Sequence, residues 1–433
     1  MDGSAAMKKR IKRTQALKAL LGREPITTLI LQARRSWAER RKIRHLWTMA
    51  ASTGEALVIM QSIWELGHFH RSPHLAVIGG GIVGLFTALF HKRAYPHHHV
   101  LVLERGPFPS GASVKNAGFA CFGSPSELLA DLDNEGADAM LARVEERWRG
   151  LLELRSELGD EAIGFEPTGG HEVYRMHDPQ YTRVAQRFDA LNEMLRPLFG
   201  KAVFQWDDHA LDRTGMAGLH HLARTDLEGP VDSGALMNTL LRKAIAEGVL
   251  FRPCAEVVGF EEGSGAVLIR LADGAEIHAA RVVVATNAWT QELLPQLEVI
   301  PARGQVLLTN PVPGLRLRGT FHYEEGFYYF RDHGGGVLLG GGRNLDFAGE
   351  TTAQEGTTPL IQDALVRLLD EVILPGTNYT IARRWSGIMG MGSSKSPIVE
   401  RTSERVVAAV RLGGMGVAIG IRVARRAAGS LLE

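Results

Sequence analysis

The chain has 433 residues, a formal net charge of +1 at pH 7, 45% hydrophobic and 22% charged residues. With a mean hydropathy of −0.05, this excludes wholesale disorder, a fibrous repeat and a polytopic membrane protein. No apolar run reaches the roughly 18 residues of a bilayer span, and two distant cysteines, Cys121 and Cys254, are too few for a disulfide framework or a cysteine-rich metal site.

A reducing, cytoplasmic setting without an integral membrane segment is therefore expected, and the length predicts two domains. Charge is unevenly spread. Residues 1–50 hold 13 Lys/Arg against three Asp/Glu, leaving 36 against 45 in the remainder. Residues 1–59 read as a basic extension outside the fold, with Met60 an alternative start. The other readings are a transit peptide, which makes an organellar address the alternative, and a phosphate-binding arm. Nucleic acid is not an expected partner.

The first strong pattern follows. His74–Ile78 reads as a buried strand and runs into Gly79-Gly80-Gly81-Ile82-Val83-Gly84, then a helical LFTALFHKR, then a second strand, His99–Leu103, ending at Glu104. Gly79 permits the tight turn, Gly81 lets backbone approach a pyrophosphate, and Gly84 allows the helix to pack on the strand. The helix N-terminus stabilises phosphate charge. Glu104, 20 residues after Gly84, is placed to accept from ribose hydroxyls. A dinucleotide is expected here.

Which dinucleotide depends on later segments. Gly106–Ser124 is a loop of glycine and small residues, Val282–Trp289 (VVVATNAW) is a buried strand ending in polar residues, and Arg411–Gly420 turns on Gly413, Gly414 and Gly416 into a helix. That last helix N-terminus suits a carbonyl gaining negative charge.

The motifs VIGGGIVGL, Glu104-Arg105, GASVKNAG (111–118), VVVATNAW, PARGQ (301–305), RRWSGIMG (383–390) and GGMGVAIG (413–420) occur in this order. From about Trp64 to its end the chain resembles the FAD-dependent amino acid oxidase superfamily, which includes glycine and sarcosine oxidases, D-amino acid dehydrogenase and gamma-glutamylputrescine oxidase. The resemblance implies an α/β fold: a Rossmann-like FAD-binding domain with a discontinuous antiparallel β-sheet substrate domain. The FAD-binding parts are expected at 60–168, 223–300 and 385–433, and the substrate parts at 169–222 and 301–384. It implies FAD contacts from Gly79, Gly81, Ile82, Val83, Gly84, Glu104 and Arg105. Further contacts are expected from Ser113, Lys115, Asn116, Ala117, Gly118, Val257, Thr286, Asn287, Trp289, Gly413, Gly414, Met415 and Gly416.

Between these motifs, 124–158 reads helical and Glu172–Met176 begins a β segment. Asp232–Glu247 is a capped amphipathic helix stopped by Gly248, and 249–258 returns a strand. Strands with glycine turns alternate between Pro301 and Arg384, with a helix over Leu360–Leu374.

The implied chemistry is hydride transfer from a C–H beside an amine to flavin, with dioxygen or an electron-transfer partner as the final acceptor. A 2-hydroxy acid dehydrogenase and a non-catalytic FAD-binding assembly factor are the alternatives. In relatives, an arginine in the segment matching WSGIM clamps the substrate carboxylate. Here that seat is Met389, and a second arginine seat falls near Gly414. Either the clamp has moved or the substrate is not a small α-amino acid. Arg303, Arg343 and Lys395 are the candidate replacement cations, and Arg331 a weaker one. Among Tyr323, Tyr328 and Tyr329, Tyr328 is the candidate hydrogen-bonding residue, and alternation allows only one of 328 and 329 to face the site. Trp385 reads as packing, Cys121 as a small buried residue, and His97-His98-His99 as a loop without metal.

Overall fold

The computed structural model describes residues 62–68 and 71–431; the expected extension at 1–59, with Met60, lies outside the described residues. The chain divides into two units between Arg71 and Ser72. The first contributes one described helix, Ile63–His68, and all that follows concerns the second. No helix among the described residues is long and apolar enough to cross a membrane.

Two large sheets organise the molecule. The six-stranded sheet has the order Ile398–Arg401, Val406–Val410, Arg281–Val284, Leu75–Ile78, Val100–Leu103, Leu250–Arg252. Its pairs are parallel except for the hairpin 398–410. LAVI and VVV are apolar at every position because both faces are covered. On one side lie the helices Ile82–Ala94, Ser233–Ala246 and Gly416–Ser430. On the other lies a three-stranded antiparallel sheet spanning 257–279.

The eight-stranded sheet has the order Ile381–Met391, Ile300–Thr309, Gly336–Gly341, Tyr328–His333, Thr320–Tyr323, Gly170–Arg175, Leu219–Thr225, Gln205–Trp206. Its strands alternate. Leu307, Phe321, Tyr323, Tyr328, Phe330 and Leu339 point to a core under the helix Pro359–Leu368, whereas Val306, Tyr329, Leu338 and Trp385 share the opposite face with Ala117 and Phe119. The sheet overruns two expected seams: one strand continues to Thr225 past 222, and another to Met391 past 384.

Local chemistry explains the other departures. The helical stretch 124–158 is two helices, Pro125–Glu135 and Ala137–Leu158, because Gly136 between them has φ = 87°. The predicted helix 360–374 is α-helical only to Leu368 and continues as a π turn over Leu369–Ile373. The return strand is only Leu250–Arg252, while Val257 opens a strand of the three-stranded sheet. An unforeseen helix, Pro179–Phe199, starts where the Asp178 carboxylate accepts from the Gln180 N–H and proline occupies its first turn.

The helices Ala137–Leu158 and Gly416–Ser430 cross backbone to backbone. A Cβ at Gly150 would stand 1.9 Å from the Ala418 carbonyl oxygen. Gly150→Ala is expected to destabilise the fold by about 1–3 kcal/mol through overpacking. A urea titration checks it: the midpoint falls at unchanged slope, and an unmoved midpoint would mean that the crossing has slack.

Candidate functional site

A cavity of about 700 Å³ lies where the carboxyl ends of the parallel strands meet the face of the eight-stranded sheet that carries Tyr329, within the size range of ligand sites. Gly79, Gly81, Ile82 and Val83 line its end at the glycine turn. Gly79 has φ = 109°, and a Cβ there would stand 2.6 Å from the Ala285 carbonyl oxygen. Gly81 caps the helix Ile82–Ala94 and has no side chain of its own to accept from the first N–H groups, a helix N-terminus that suits an anion. Gly84 stands behind the cavity: a Cβ there would lie 1.9 Å from the Gly79 carbonyl oxygen, so it sets the strand-to-helix turn.

Glu104 lines the cavity and is buried. Its carboxylate accepts from the Gly80 and Gly106 N–H groups, both at 2.9 Å, which fixes the acid against the glycine turn. The Arg105 guanidinium lies 3.8 Å above the Trp289 ring, and both residues face the cavity with Val257, Thr286 and Asn287. Asn287 adopts φ = 47°, and its Oδ1 is buried without a hydrogen-bond partner.

The 111–118 loop crosses the middle of the cavity. Ser113, Lys115, Asn116 and Ala117 line it. The Ser113 hydroxyl accepts from the Ile82 N–H at 3.1 Å. The Asn116 amide donates to the Ala112 and Ser113 carbonyls and accepts from the Gly118 N–H. Gly118, like Gly84, stands off the cavity, with φ = 72° and the Val231 carbonyl where a Cβ would be. Gly413, Gly414, Met415 and Gly416 close the far wall. Met389 adjoins Gly414, its Sδ 3.3 Å from the position of a Cβ there. The two seats that hold arginines in resembling enzymes are thus neighbours, filled by a thioether and by nothing.

Beyond Met389 the lining becomes aromatic and charged. Tyr329 faces the cavity, and Tyr328 packs in the opposite core. The Tyr328 expectation is therefore corrected to Tyr329, whose phenol burial pushes up to about 12. Arg303 also lies off the cavity. Its guanidinium forks onto the Glu350 carboxylate at 2.8 and 2.9 Å, so it is occupied in holding the 343–358 segment. Arg331 donates to the Gly118 and Val231 carbonyls at 2.7 and 2.8 Å, a purely structural use.

Lys395 and Arg343 do line the cavity. The Lys395 ammonium pairs with the buried Asp131 carboxylate, which also takes Arg143. Arg343 differs. Among the described residues no acid forms an ion pair with it, its Nε is sealed from solvent without a partner, and its guanidinium lies 5.0 Å over the Phe347 ring. Burial pulls its pKa down, opposed by the charge of Glu350.

Residues that sequence reasoning missed complete the chamber: Phe119, Glu127, Arg147, His322, Glu325 and Phe347. Arg147 donates to the Phe122 carbonyl at 2.9 Å and pairs with Glu127 at 3.2 Å. Cys121 lines the same end, and burial drives its thiol pKa well up, so it is not a thiolate. Among the described residues no group of His, Cys, Asp and Glu can hold a metal ion; the His98 ring instead stacks on His74 at 4.4 Å.

The family of FAD dependent oxidoreductases (DAO) matches residues 74–429. The bifunctional protein ThiO/ThiG of Trichormus variabilis is 26% identical over 336 residues, 75% of this chain and 47% of that protein, so the chain spans about half the length of this curated relative. Among solved structures, iminodiacetate oxidase from Chelativorans sp. BNC1 superposes with a TM-score of 0.66 at 20% identity, covering 83% of this chain and 95% of the other. Glycine oxidase from Bacillus cereus gives 0.65 at 17%, with coverage of 83% and 95%. L-proline dehydrogenase from P. horikoshii gives 0.64 at 20%, with coverage of 83% and 92%. At these identities the structural likeness concerns the fold.

FAD is the cofactor of this family, and the cavity suits it: a helix N-terminus whose cap residue has no side chain, and a glycine turn with no room for one. Because Arg303 and Glu350 are a buried pair, with side chains 11% and 1% exposed, Glu350→Ala strands a cation. The variant is expected to lose about 3–5 kcal/mol of stability. Chemical denaturation checks it, and a loss under about 1 kcal/mol would make the pair dispensable.

Proposed function

The chain belongs to the FAD-dependent oxidoreductase family, and we propose that it oxidises the carbon–nitrogen bond of a small amino acid or carboxylate-bearing amine to an imine, which hydrolyses to a carbonyl compound. FAD, when bound, supplies the hydride acceptor. The observation that carries this reading is Arg343. A cavity-lining guanidinium with no acid partner among the described residues is costly, and a substrate carboxylate in the cavity answers its charge. Lys395, already answered by Asp131, contributes no free charge of its own.

The rest of the chamber suits a small, partly apolar molecule. Phe119, Phe327 and Tyr329 line the chamber with apolar ring surface, which strengthens charge pairing there. Supporting the reading, the structural neighbours named above are an iminodiacetate oxidase, a glycine oxidase and a proline dehydrogenase, all named for carboxylate-bearing amines.

Anaerobic titration of the FAD-loaded protein tests this with primary and N-substituted amino acids, the matching decarboxylated amines, and 2-hydroxy acids. The visible flavin band is expected to bleach with one group of amino acids. Arg343→Ala is expected to raise the half-saturating concentration about 30- to 150-fold, the equivalent of about 2–3 kcal/mol for a hydrogen bond to a charged group. Equal bleaching by decarboxylated amines would remove the role of Arg343. Bleaching by 2-hydroxy acids alone would assign the protein to C–OH oxidation.

A further inference from the structure

One side chain borders two cavities. His322 lines the large chamber and also a second, small void of about 10 Å³, room for about one water molecule. The ring is nine-tenths buried, with a relative exposure of 8%. Its Nδ1 turns toward Gly326 on the chamber wall, 3.6 Å from where a Cβ would stand. Its Nε2 is sealed and has no hydrogen-bond partner. A buried ring nitrogen without a partner calls for one.

Two buried carboxyl groups flank the void. Glu172 is fully engaged: one oxygen accepts from the Ser126 N–H and the Tyr174 hydroxyl, the other from the Ser126 hydroxyl. Glu228 is not. Its Oε1 accepts from the Phe122 and Gly123 N–H groups at 2.7 and 3.3 Å. Its Oε2 occupies the space that the missing side chain of Gly170 leaves, 2.2 Å from the position of a Cβ there. Gly170 lines the void as well.

We propose that His322 and Glu228 form a proton path out of the substrate chamber, with a water in the small void bridging His322 Nε2 and Glu228 Oε2. The proposal rests on the reading of the chamber as a site of amine oxidation. An amino acid arrives mainly as its ammonium form, and the nitrogen must lose a proton before its lone pair can assist hydride departure. The N–H bond of the ammonium breaks and its proton goes to His322 Nδ1. The Nε2 proton passes through the water to the Glu228 carboxylate. Ammonium and carboxylate become amine and carboxylic acid, the ring ends neutral as its other tautomer, and no electrons move. The reverse passage resets the ring once product has left.

The charges around the path agree with this division of labour. Burial raises the Glu228 carboxyl to about 8, opposed by the Phe122 and Gly123 N–H groups, with Glu127 raising it and Arg147 lowering it further. Glu228 is thus a carboxylate able to take up a proton above about 8, in the range where amines release one. Burial lowers His322, against the charge of Glu127, so the ring relays a proton and does not store it. The other titratable neighbours are Glu172, raised to about 6, His171, lowered to about 4, Tyr329 at about 12, and Cys121 and Tyr174, both well raised. None of them titrates near Glu228.

Two readouts on the FAD-loaded protein test the path. Without substrate, the infrared difference between about pH 6 and about pH 10 is expected to show a carboxylic acid band lost with a midpoint near 8. The band should be absent in Glu228→Gln, present in Glu172→Gln, and shifted in frequency in His322→Phe. With an amino acid that bleaches the flavin, the anaerobic reduction rate of Glu228→Gln and His322→Phe is expected to fall about 100-fold just above the Glu228 midpoint near 8, where Glu228 is a carboxylate and the amino acid is still mainly ammonium. The deficit should shrink at higher pH, where the amine arrives neutral, and at lower pH, where Glu228 is already an acid, and substrate affinity should stay within a factor of about two. Glu228→Asp, which keeps the acid, is the variant to use if Glu228→Gln does not retain FAD, and it should keep the band at a moved midpoint. A band that survives in Glu228→Gln, or a rate deficit equal at every pH, overturns the path. If no amine bleaches the flavin, the amine reading fails, and the infrared band still decides the buried acid.

Discussion

The structure depends on a line of register through the eight-stranded sheet. Trp385 pairs with Val306, Val306 with Gly340, Gly340 with Tyr329, Tyr329 with His322, His322 with Glu172, Glu172 with Ala223, and Ala223 with Trp206. Paired positions point to one face, so eight positions from eight strands are held in one row. Gly340 has no side chain, and the Tyr329 ring folds over it, 2.4 Å from where a Cβ would stand. The row passes from an apolar floor at Val306, through a phenol, to an imidazole and then a buried carboxyl. A shift of one residue in any of these strands would turn its share of the row into the core beneath the helix Pro359–Leu368.

Charge pairing then decides which cations are free to meet a ligand. Arg303 answers Glu350, Lys395 answers Asp131, Arg147 answers Glu127, and Arg331 is spent on two backbone carbonyls. A cation that neutralises a nearby acid contributes little net field to a substrate. Position in a motif carries no information about such partners, because Glu350 and Asp131 lie far from Arg303 and Lys395 in the chain.

That is also where sequence reading stopped. The glycine fingerprint, the acid that follows it, the buried parallel strands and the late glycine turn were legible because each is a local pattern with a local physical cause. Gly84 and Gly118 were named as contacts and stand off the cavity against the Gly79 and Val231 carbonyls, a distinction that spacing does not encode. Tyr328 and Tyr329 could be divided between two faces by alternation, but the faces themselves stayed unlabelled. Arg331, two residues on from Tyr329, was the available clue: a charged residue marks the less apolar face, which pointed to 329. His322 and Glu228 gave no such sign, since one is a lone histidine in a strand and the other a lone acid in a turn. Only the register of distant strands and the absence of a Cβ at Gly170 bring them to one void.

The two sheets are also not separable modules. The Trp385 indole donates to the Lys115 carbonyl at 3.0 Å, Arg331 holds the Gly118 carbonyl, and the Gly413 N–H donates to the Gly390 carbonyl at 3.1 Å. Each tie joins the eight-stranded sheet to a loop that lines the cavity. The 111–118 loop therefore takes its shape from both sheets, and its carbonyls lose buried partners if either is displaced. Chain order has the same consequence. The segments of each sheet interrupt those of the other, so neither can complete its pairing before the chain of both is in place. Met389 and Gly414 sit at this junction, where one wall ends and the other begins. Neither seat carries a charge, and of the cavity-lining Arg147, Arg343 and Lys395, Arg343 is the one that no acid of the described residues pairs with.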